Sequence, residues 1–349
     1  MNSFKHYSSI ENSYKQPVID YFSNFTTPDT VWCATEKIHG SNFSATTDGT
    51  TIKWGKRGSF LNDSQLSTFH SSHKIKEKYD ESVIKAFNHI NNKFSSEKLI
   101  KIHIFGEICG GKYHGFKNTG KAVQKEVSYC PHIEFIVFDI FASFENNDTD
   151  NNSTYQTFLD TSTVVECCES SQLLHVPIMR TGTLTELISM NPTFLSHVYT
   201  MFDELDLPLL PNNYAEGYVL KPMEEVHTPR GRVILKFKSP RFSEKDTPKS
   251  KPKNNSTKVS HESNVQSLDD ETQSILDRCY EYINDNRKNS VLSKLTENEK
   301  LNNTKIIGLI VRDAFEDILK DFEPNSVIKK KRSIITPHMM NYAKEICNL

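Results

Sequence analysis

Residues 243 to 266, "SEKDTPKSKPKNNSTKVSHESNVQ", constrain this chain more than any other stretch, because they offer almost nothing to bury. A polar, lysine-rich run with prolines reads as a flexible linker, and the hydrophobic period differs on its two sides. Before it, apolar runs rich in β-branched and aromatic residues recur: "VWCAT", "LIKIHIFGEI", "IEFIVFDIF", "EGYVLKP" and "RVILKFK". Turn residues separate them, the pattern of strands in antiparallel or mixed sheets. Between them, "SHKIKEKYDESVIKAFNHINNKF" and "PTFLSHVYTMFDEL" read as helices.

After the linker the period becomes helical. Ile275, Cys279, Tyr282 and Ile283 share one face, as do Ile307, Ile310, Val311, Phe315, Ile318 and Phe322. "SVIKKKRSIITPHMMNYAKEIC" reads as one or two short helices around Pro337. The expectation is an α+β domain over residues 1–242, a linker over 243–266 and a small all-α domain over 267–349.

A chain of 349 residues has room for two such cores. Its formal net charge of −2 carries no global basic field, so any nucleic-acid surface must be local. No apolar run reaches the about 18 residues of a membrane span. The opening "MNSFKHYSSIENSY" lacks an apolar signal region, which leads us to expect a cytoplasmic protein without a membrane partner. The seven cysteines are scattered and form no C-x-x-C pair, so buried free thiols are expected rather than disulfides or zinc.

The chemistry-bearing residues begin at "TEKIHGSNFSATTDG", where Lys37 is followed by His39, Gly40 and Asn42. An amine attacks only when deprotonated, which for lysine demands desolvation or crowding by other cations. "RVILKFK" offers such cations: strand alternation places Arg232, Ile234, Lys236 and Lys238 on one face. Two lysines at i and i+2 can grip one phosphate, although the same pattern also suits a solvated face. Lys221 ends an apolar strand that opens at Glu216, and Pro222 marks its stop. Glu107 closes an apolar run before Gly110 and Gly111; it is either an exposed strand end, a ribose acceptor or an outer-shell anchor for Mg²⁺. Phe138 is a core residue or a platform for a purine, and Asp139 faces the other side of its strand. Arg57, before a glycine, can reach a phosphate.

Singly these motifs say little, but their order is specific. "EKIHGSNF", "KRG", "FGEI", "FIVFDI", "EGYVLKP" and "VILKFK" resemble, in that order, the nucleotidyltransferase motifs of covalent polynucleotide ligases. Their wording is similar to that of the RNA ligase 2 family, whose members seal nicks in double-stranded RNA. The resemblance extends over essentially the whole chain and implies a nucleotidyltransferase fold with ATP-grasp-like sheets, followed by a helical domain.

The resemblance further implies an ATP-dependent RNA ligase, with Mg²⁺ as cofactor (Mn²⁺ substituting), acting in RNA repair through lysyl-AMP and RNA-adenylate intermediates. Lys37 would be the nucleophile, Lys236 and Lys238 would hold the α-phosphate, and Lys221 would assist at a phosphate edge. Glu107 would accept from the ribose and Phe138 would stack on adenine. Glu36, Ile38, Asn42 and Arg57 would line the nucleotide site, and His39 would face the leaving pyrophosphate. Asp139 and Glu216 would anchor metal through water. Arg287, Asp313 and Asp317 would handle RNA, by a monomer acting on nicked or bridged RNA ends. Residues 110–132, rich in Lys, Gly and His, exceed the family's loop and read either as a strand-engaging loop or as a surface insertion.

DNA ligases and capping guanylyltransferases also use K-x-x-G, but with an acid where His39 stands and an OB-fold where this chain has helices. A non-catalytic RNA-end-binding protein of the same fold is the alternative from another class; it would be expected to have lost one of Lys37, Glu107, Glu216 or Arg57.

Overall fold

A computed structural model describes residues 4–7, 10–12, 16–145, 154–229, 231–243, 272, 275–276, 279–321 and 325–346. Residues 244–266 of the expected linker, and Phe322, lie outside the described residues. The chain divides into two compact units, Met1–Arg241 and Phe242–Leu349.

The first unit is built on two antiparallel-rich sheets. In chain order its strands are β1 (Glu11–Asn12), β2 (Trp32–Glu36), β3 (Ser41–Thr47), β4 (Ile52–Lys56), β5 (Ser59–Phe60) and β6 (Lys98–Gly110). There follow β7 (Ile133–Glu145), β8 (Thr154–Phe158), β9 (Ile178–Gly182), β10 (Gly217–Pro222), β11 (His227–Thr228), β12 (Gly231–Arg232) and β13 (Leu235–Lys238). One sheet has the order β1-β13-β10-β2-β9 and the other β5-β4-β3-β6-β7-β8. Only β1 with β13 is parallel in the first sheet, which makes that sheet mixed.

Helices α1 (Gln16–Ser23), α2 (Asp63–Thr68), α3 (His73–Lys93), α4 (Thr161–Ser171) and α5 (Leu184–Ile188) flank the sheets. Along α3, Ile75, Tyr79, Val83, Ala86, Phe87 and Ile90 recur at helical spacing and bury one face. They join Phe43, Trp54, Ile104 and Phe135 of the second sheet in one core. A smaller core forms under the first sheet from Trp32, Ala34, Tyr218, Leu220 and Leu235. The six described cysteines are buried and free of disulfides. No helix among the described residues is long and apolar enough to cross a membrane.

Two expectations for this unit are corrected. "PTFLSHVYTMFDEL" is not an α-helix: it holds only short 3-10 turns at Val198–Met201 and Asp203–Leu205. Its backbone bonds sideways instead, Ser196 N–H donating to Asn213 O at 2.8 Å and His197 N–H to the Glu36 carboxylate at 2.9 Å. "RVILKFK" is likewise not one strand, because it breaks at Val233 and Ile234. Arg232 pairs with His227 in a separate hairpin, and only β13 joins the main sheet.

In the second unit, Leu276, Cys279, Tyr282, Ile283, Ile307, Ile310, Val311, Phe315 and Ile318 are buried in a common core. Its helices include α6 (Asp285–Ser293), α7 (Asn303–Asp321) and α8 (Asn325–Ile346). Pro337 lies inside α8, so the expected break there does not occur and one helix runs through. The proline is exposed, where water can serve the backbone carbonyl it leaves unmatched.

Candidate active site

The loop Lys37–Gly40 carries the chain from β2 of one sheet to β3 of the other, and both sheets therefore contribute to its surroundings. Gly40 is needed for this crossing. A Cβ there would meet the Ile108 carbonyl oxygen at 2.2 Å and Glu107 Cγ at 2.9 Å. The loop's start is pinned where Lys37 N–H donates to Gly217 O at 2.9 Å. Gly217 itself has φ +147, and a Cβ would lie 1.8 Å from Phe237 O, so β10 approaches β13 as only glycine permits.

Glu216, just before this glycine, is the centre of charge. Its carboxylate takes Lys37 Nζ at 2.7 Å on one oxygen and Lys238 Nζ at 3.0 Å on the other. His39 Nδ1 stands 3.4 Å from the first of these oxygens. Burial opposes ionisation of Glu216, but the charges of Lys37 and Lys238 and the His39 contact overcome it and hold the carboxyl well below its usual range. Lys236 lies two residues from Lys238 on the same strand, half-buried and opposite Val219.

Glu107 sits across β3 from Asn42, half-buried behind the loop. Burial raises its carboxyl to about 7 against the nearby positive charges of Lys37, His39 and Arg57, with Glu216 adding to the rise. Glu36 is 1% exposed, and burial raises it too, to about 7. Its Oε2 accepts from His197 N–H, while its Oε1 is buried with no hydrogen-bond partner among the described residues. An orphaned buried acceptor is uncommon. Ile38 is buried, and Arg57 is exposed.

The expected alternation of Phe138 and Asp139 on β7 does not hold, because the register with β6 shifts at Phe138 and both residues reach Tyr7; Phe138 is half-buried with its ring 4.9 Å from that of Tyr7. Asp139 is enclosed: Lys221 Nζ stands 2.6 Å away, Arg232 Nη1 2.9 Å, and the Tyr7 hydroxyl donates to it. Lys221 also donates to Phe138 O at 3.1 Å. This pair joins the two sheets, so the sequence-read lysines divide between two acids: Lys37 and Lys238 on Glu216, Lys221 on Asp139. Arg232, expected from alternation beside Lys236 and Lys238, instead clamps Asp139 and Glu225.

Sequence reasoning misses three groups that hold the Lys37–Gly40 loop. Glu126 Oε2 is 3.2 Å from His39 Nε2, the Tyr129 hydroxyl accepts from His39 N–H at 2.7 Å, and Gln124 Nε2 donates to Gly40 O at 3.2 Å. All three belong to the segment between β6 and β7, which has no periodicity to draw attention to them. Burial disfavours the charged His39 imidazole, but the bonds to Glu126 and Glu216 raise its pKa on balance. The His39 bond in turn leads the causes that lower Glu126, to about 2.

In the helical unit the structure brings Arg287, Asp313 and Asp317 together. Arg287 is buried at 3% exposure, its guanidinium donating to Tyr282 O, Asp313 O and the Asp317 carboxylate at 2.8, 3.0 and 2.9 Å. Lys294 neutralises the Asp313 carboxylate at 2.8 Å.

Among the described residues no three His, Cys, Asp or Glu side chains gather as a metal-binding cluster. The Asp139 carboxylate is enclosed by Lys221 and Arg232 and the Glu216 oxygens by Lys37 and Lys238, a donor set that suits a hydrated divalent ion carried in by phosphates better than one bound directly.

Comparison with known proteins gives the family. RNA-editing ligase 2 of Trypanosoma brucei brucei, named as mitochondrial, is 24% identical over 93% of this chain and 85% of its own length. RNA-editing ligase 1 of the same organism, also named as mitochondrial, is 22% identical over 87% of this chain and 74% of its own. Among solved structures, a Naegleria gruberi RNA ligase mutant with ATP and Mn has a TM-score of 0.42 and 16% identity; the match covers 67% of this chain and 56% of that one. The family model for RNA ligase matches residues 30–238, from just before β2 to the end of β13. That span is more than half of the chain and holds the whole Lys37–Glu216–Lys238 cluster, and the chain belongs to the RNA ligase family.

Proposed function

We propose that this RNA ligase joins a 3′-hydroxyl to a 5′-phosphate at nicks in duplex RNA, in an RNA repair role, using ATP and a lysyl-AMP intermediate on Lys37. The observation that carries the reading is the arrangement of Lys37 and Lys238 on opposite oxygens of one buried carboxylate, Glu216. Lys238 already supplies a counter-charge, so Nζ of Lys37 can leave Glu216 without stranding a buried anion. As a neutral amine it attacks the α-phosphorus of ATP; the P–N bond forms, pyrophosphate departs, and the proton lost from Nζ passes to water. Lys236 and Lys238 then face the anionic phosphoryl group and neutralise it, which is the main demand of phosphoryl transfer. A divalent ion bound with the phosphates would add further neutralisation, and Glu216, once Lys37 has left it, would hold that ion through water.

Adenylate next moves from Lys37 to the RNA 5′-phosphate, and the 3′-hydroxyl finally displaces AMP to close the phosphodiester. Adenine fits the buried, unpartnered Oε1 of Glu36, because its exocyclic amine donates where the guanine oxygen cannot. Glu107 serves the ribose and Phe138 the base. His39, held between Glu126 and Glu216, presents positive charge to the departing pyrophosphate. Lys221 acts through its bond to Asp139, which ties β10 to β7 beneath the nucleotide. The helical unit carries the RNA after self-adenylylation, and one chain suffices, since every member of the cluster comes from it.

The test is incubation with α-labelled ATP and Mg²⁺ in the absence of RNA. Label should remain on the chain in an acid-labile, alkali-stable bond and be absent from Lys37→Ala. No label on the folded wild-type protein would overturn the reading, and preference for GTP would turn it towards capping chemistry. Sealing of a nicked RNA duplex faster than of single-stranded ends tests the substrate.

A further inference from the structure

The segment 111–132 between β6 and β7 is a built strap rather than a loose insertion. Its two ends are tied together where Gly111 N–H donates to His132 O at 2.6 Å, Thr119 N–H to Pro131 O at 2.9 Å and Val123 N–H to Gly110 O at 3.1 Å. Asn213 fastens it by two hydrogen bonds to the Ser128 backbone, at 2.8 and 2.7 Å, and the Tyr113 hydroxyl donates to Pro208 O at 2.6 Å. From its inner side Gln124, Glu126 and Tyr129 hold the nucleophile loop.

Its outer side is different in kind. Lys112, Lys117, Lys121 and Lys125 are all exposed. Between residues 111 and 125 there is no Asp or Glu, in a chain whose net charge is −2. The first acid, Glu126, is turned inward on His39. Lys74 of α3, also exposed, brings a fifth ammonium to the strap, its Nζ reaching Thr119 O at 3.5 Å. Lys125 stands between Gln124 and Glu126, so this positive face begins one residue from the groups that touch the nucleophile loop.

We propose that the outer face of this strap is a contact surface for the phosphate backbone of the RNA substrate, seating the duplex beside Lys37. The inference rests on the reading of the chain as a ligase acting on duplex RNA. Lysines are point charges suited to phosphates, and phosphate contacts carry no sequence information, so the contact is independent of sequence. Of the strap's rings, Tyr113 and Tyr129 are buried, Phe116 and His132 are half-buried, and His114 alone is exposed. One exposed imidazole among four exposed lysines favours a duplex held by its backbone over a stacked single strand.

The experiment compares wild type with the combined variant Lys112→Ser, Lys117→Ser, Lys121→Ser, Lys125→Ser. Melting temperature and self-adenylylation from ATP should match wild type, since these side chains make no part of the nucleotide cluster. Affinity for a nicked RNA duplex should fall at least tenfold at about 0.1 M salt. The slope of log K against log salt should become shallower by roughly 3.6, near 0.9 for each of the four phosphates that the variant no longer neutralises. Unchanged affinity and slope in a variant that still labels would overturn the surface and leave the ligase reading standing. Equal losses for duplex and single-stranded RNA would overturn the duplex assignment. Absence of label from the wild type would instead overturn the parent reading.

Discussion

Glu126 Oε2 lies 3.2 Å from His39 Nε2, and the other ring nitrogen of His39 lies 3.4 Å from Glu216. The histidine of the K-x-H-G loop is thus held at both ends by carboxylates, both of them remote from the loop in sequence. Glu126→Ala should lower the rate of self-adenylylation while leaving the KM for ATP little changed, because it releases an orienting bond and no nucleotide contact. In a His39→Ala background the same change should add almost nothing to the rate loss, because Glu126 acts through its bond to that ring. Rate measurements on the two single variants and the double variant decide it.

The same pair gives a pH signature. The His39 pKa is raised, so its contribution to stability is full below its ordinary value of 6.5 and is lost as pH rises through the folded value. The Glu126 pKa is lowered, so its contribution is full above 4.5 and is lost as pH falls towards about 2. The stability difference between wild type and Glu126→Gln should therefore be greatest between these ordinary values, at about 1–2 kcal/mol, and shrink on either side. Urea unfolding at pH 3, 5.5 and 9 measures it; a difference constant with pH would refute it.

Gly40 and Gly217 should not tolerate alanine, for separable reasons. At Gly40 the obstacle is the Ile108 carbonyl at 2.2 Å, so the nucleophile loop must lift from β6. A displacement on the order of 1 Å costs about 100-fold in rate, so Gly40→Ala should fold and label poorly. At Gly217 both the φ of +147 and the Phe237 carbonyl at 1.8 Å oppose a side chain, and sheet pairing itself is disturbed. Gly217→Ala should lose about 2–3 kcal/mol of stability, read from denaturant unfolding.

These residues show why some of the architecture is legible in the sequence and some is not. The strands β2, β6, β7 and β10 declare themselves through β-branched and aromatic runs, and Lys37, Glu216 and Lys238 through the order of short motifs. Glu126 and Tyr129 lie in a segment with no period, and only the folded path brings them to His39. Alternation misplaces Arg232 because it does not carry across the break at Val233 and Ile234. The segment before Asn213 looks helical by composition, yet its backbone bonds to Asn213, Ala215 and Glu36, partners that no local pattern reveals.

The Asp139 carboxylate is a further case in which removal of one charge should be costly. Burial opposes its ionisation, but Lys221 and Arg232 hold its pKa far below the usual range. Asp139→Asn would leave those two cations in a buried place with less counter-charge, at a cost of about 3–5 kcal/mol at pH 7. A depressed carboxyl contributes fully above its ordinary value of 3.8 and loses that contribution as pH falls below it. The gap between wild type and Asp139→Asn should accordingly narrow between pH 6 and pH 2.5 in urea unfolding, and a gap that widened would contradict the ion-pair account.

Arg287 provides the sharpest division between stability and substrate handling. Its guanidinium is buried and serves two backbone carbonyls and the Asp317 carboxylate, joining the start of α6 to α7. Arg287→Ala should therefore lower the melting temperature of the helical unit, by far-ultraviolet circular dichroism, while self-adenylylation by the first unit continues. Arg287→Lys should rescue little, because a single ammonium cannot reproduce the planar fork that meets three acceptors. Deletion of residues 243–349 should match Arg287→Ala in sparing the labelling of Lys37 and impairing the sealing of nicked RNA. If Arg287→Ala melts like wild type and fails only in sealing, the arginine meets RNA directly and its internal bonds are dispensable. If the truncated chain seals as well as the whole one, the helical unit has no part in handling the substrate.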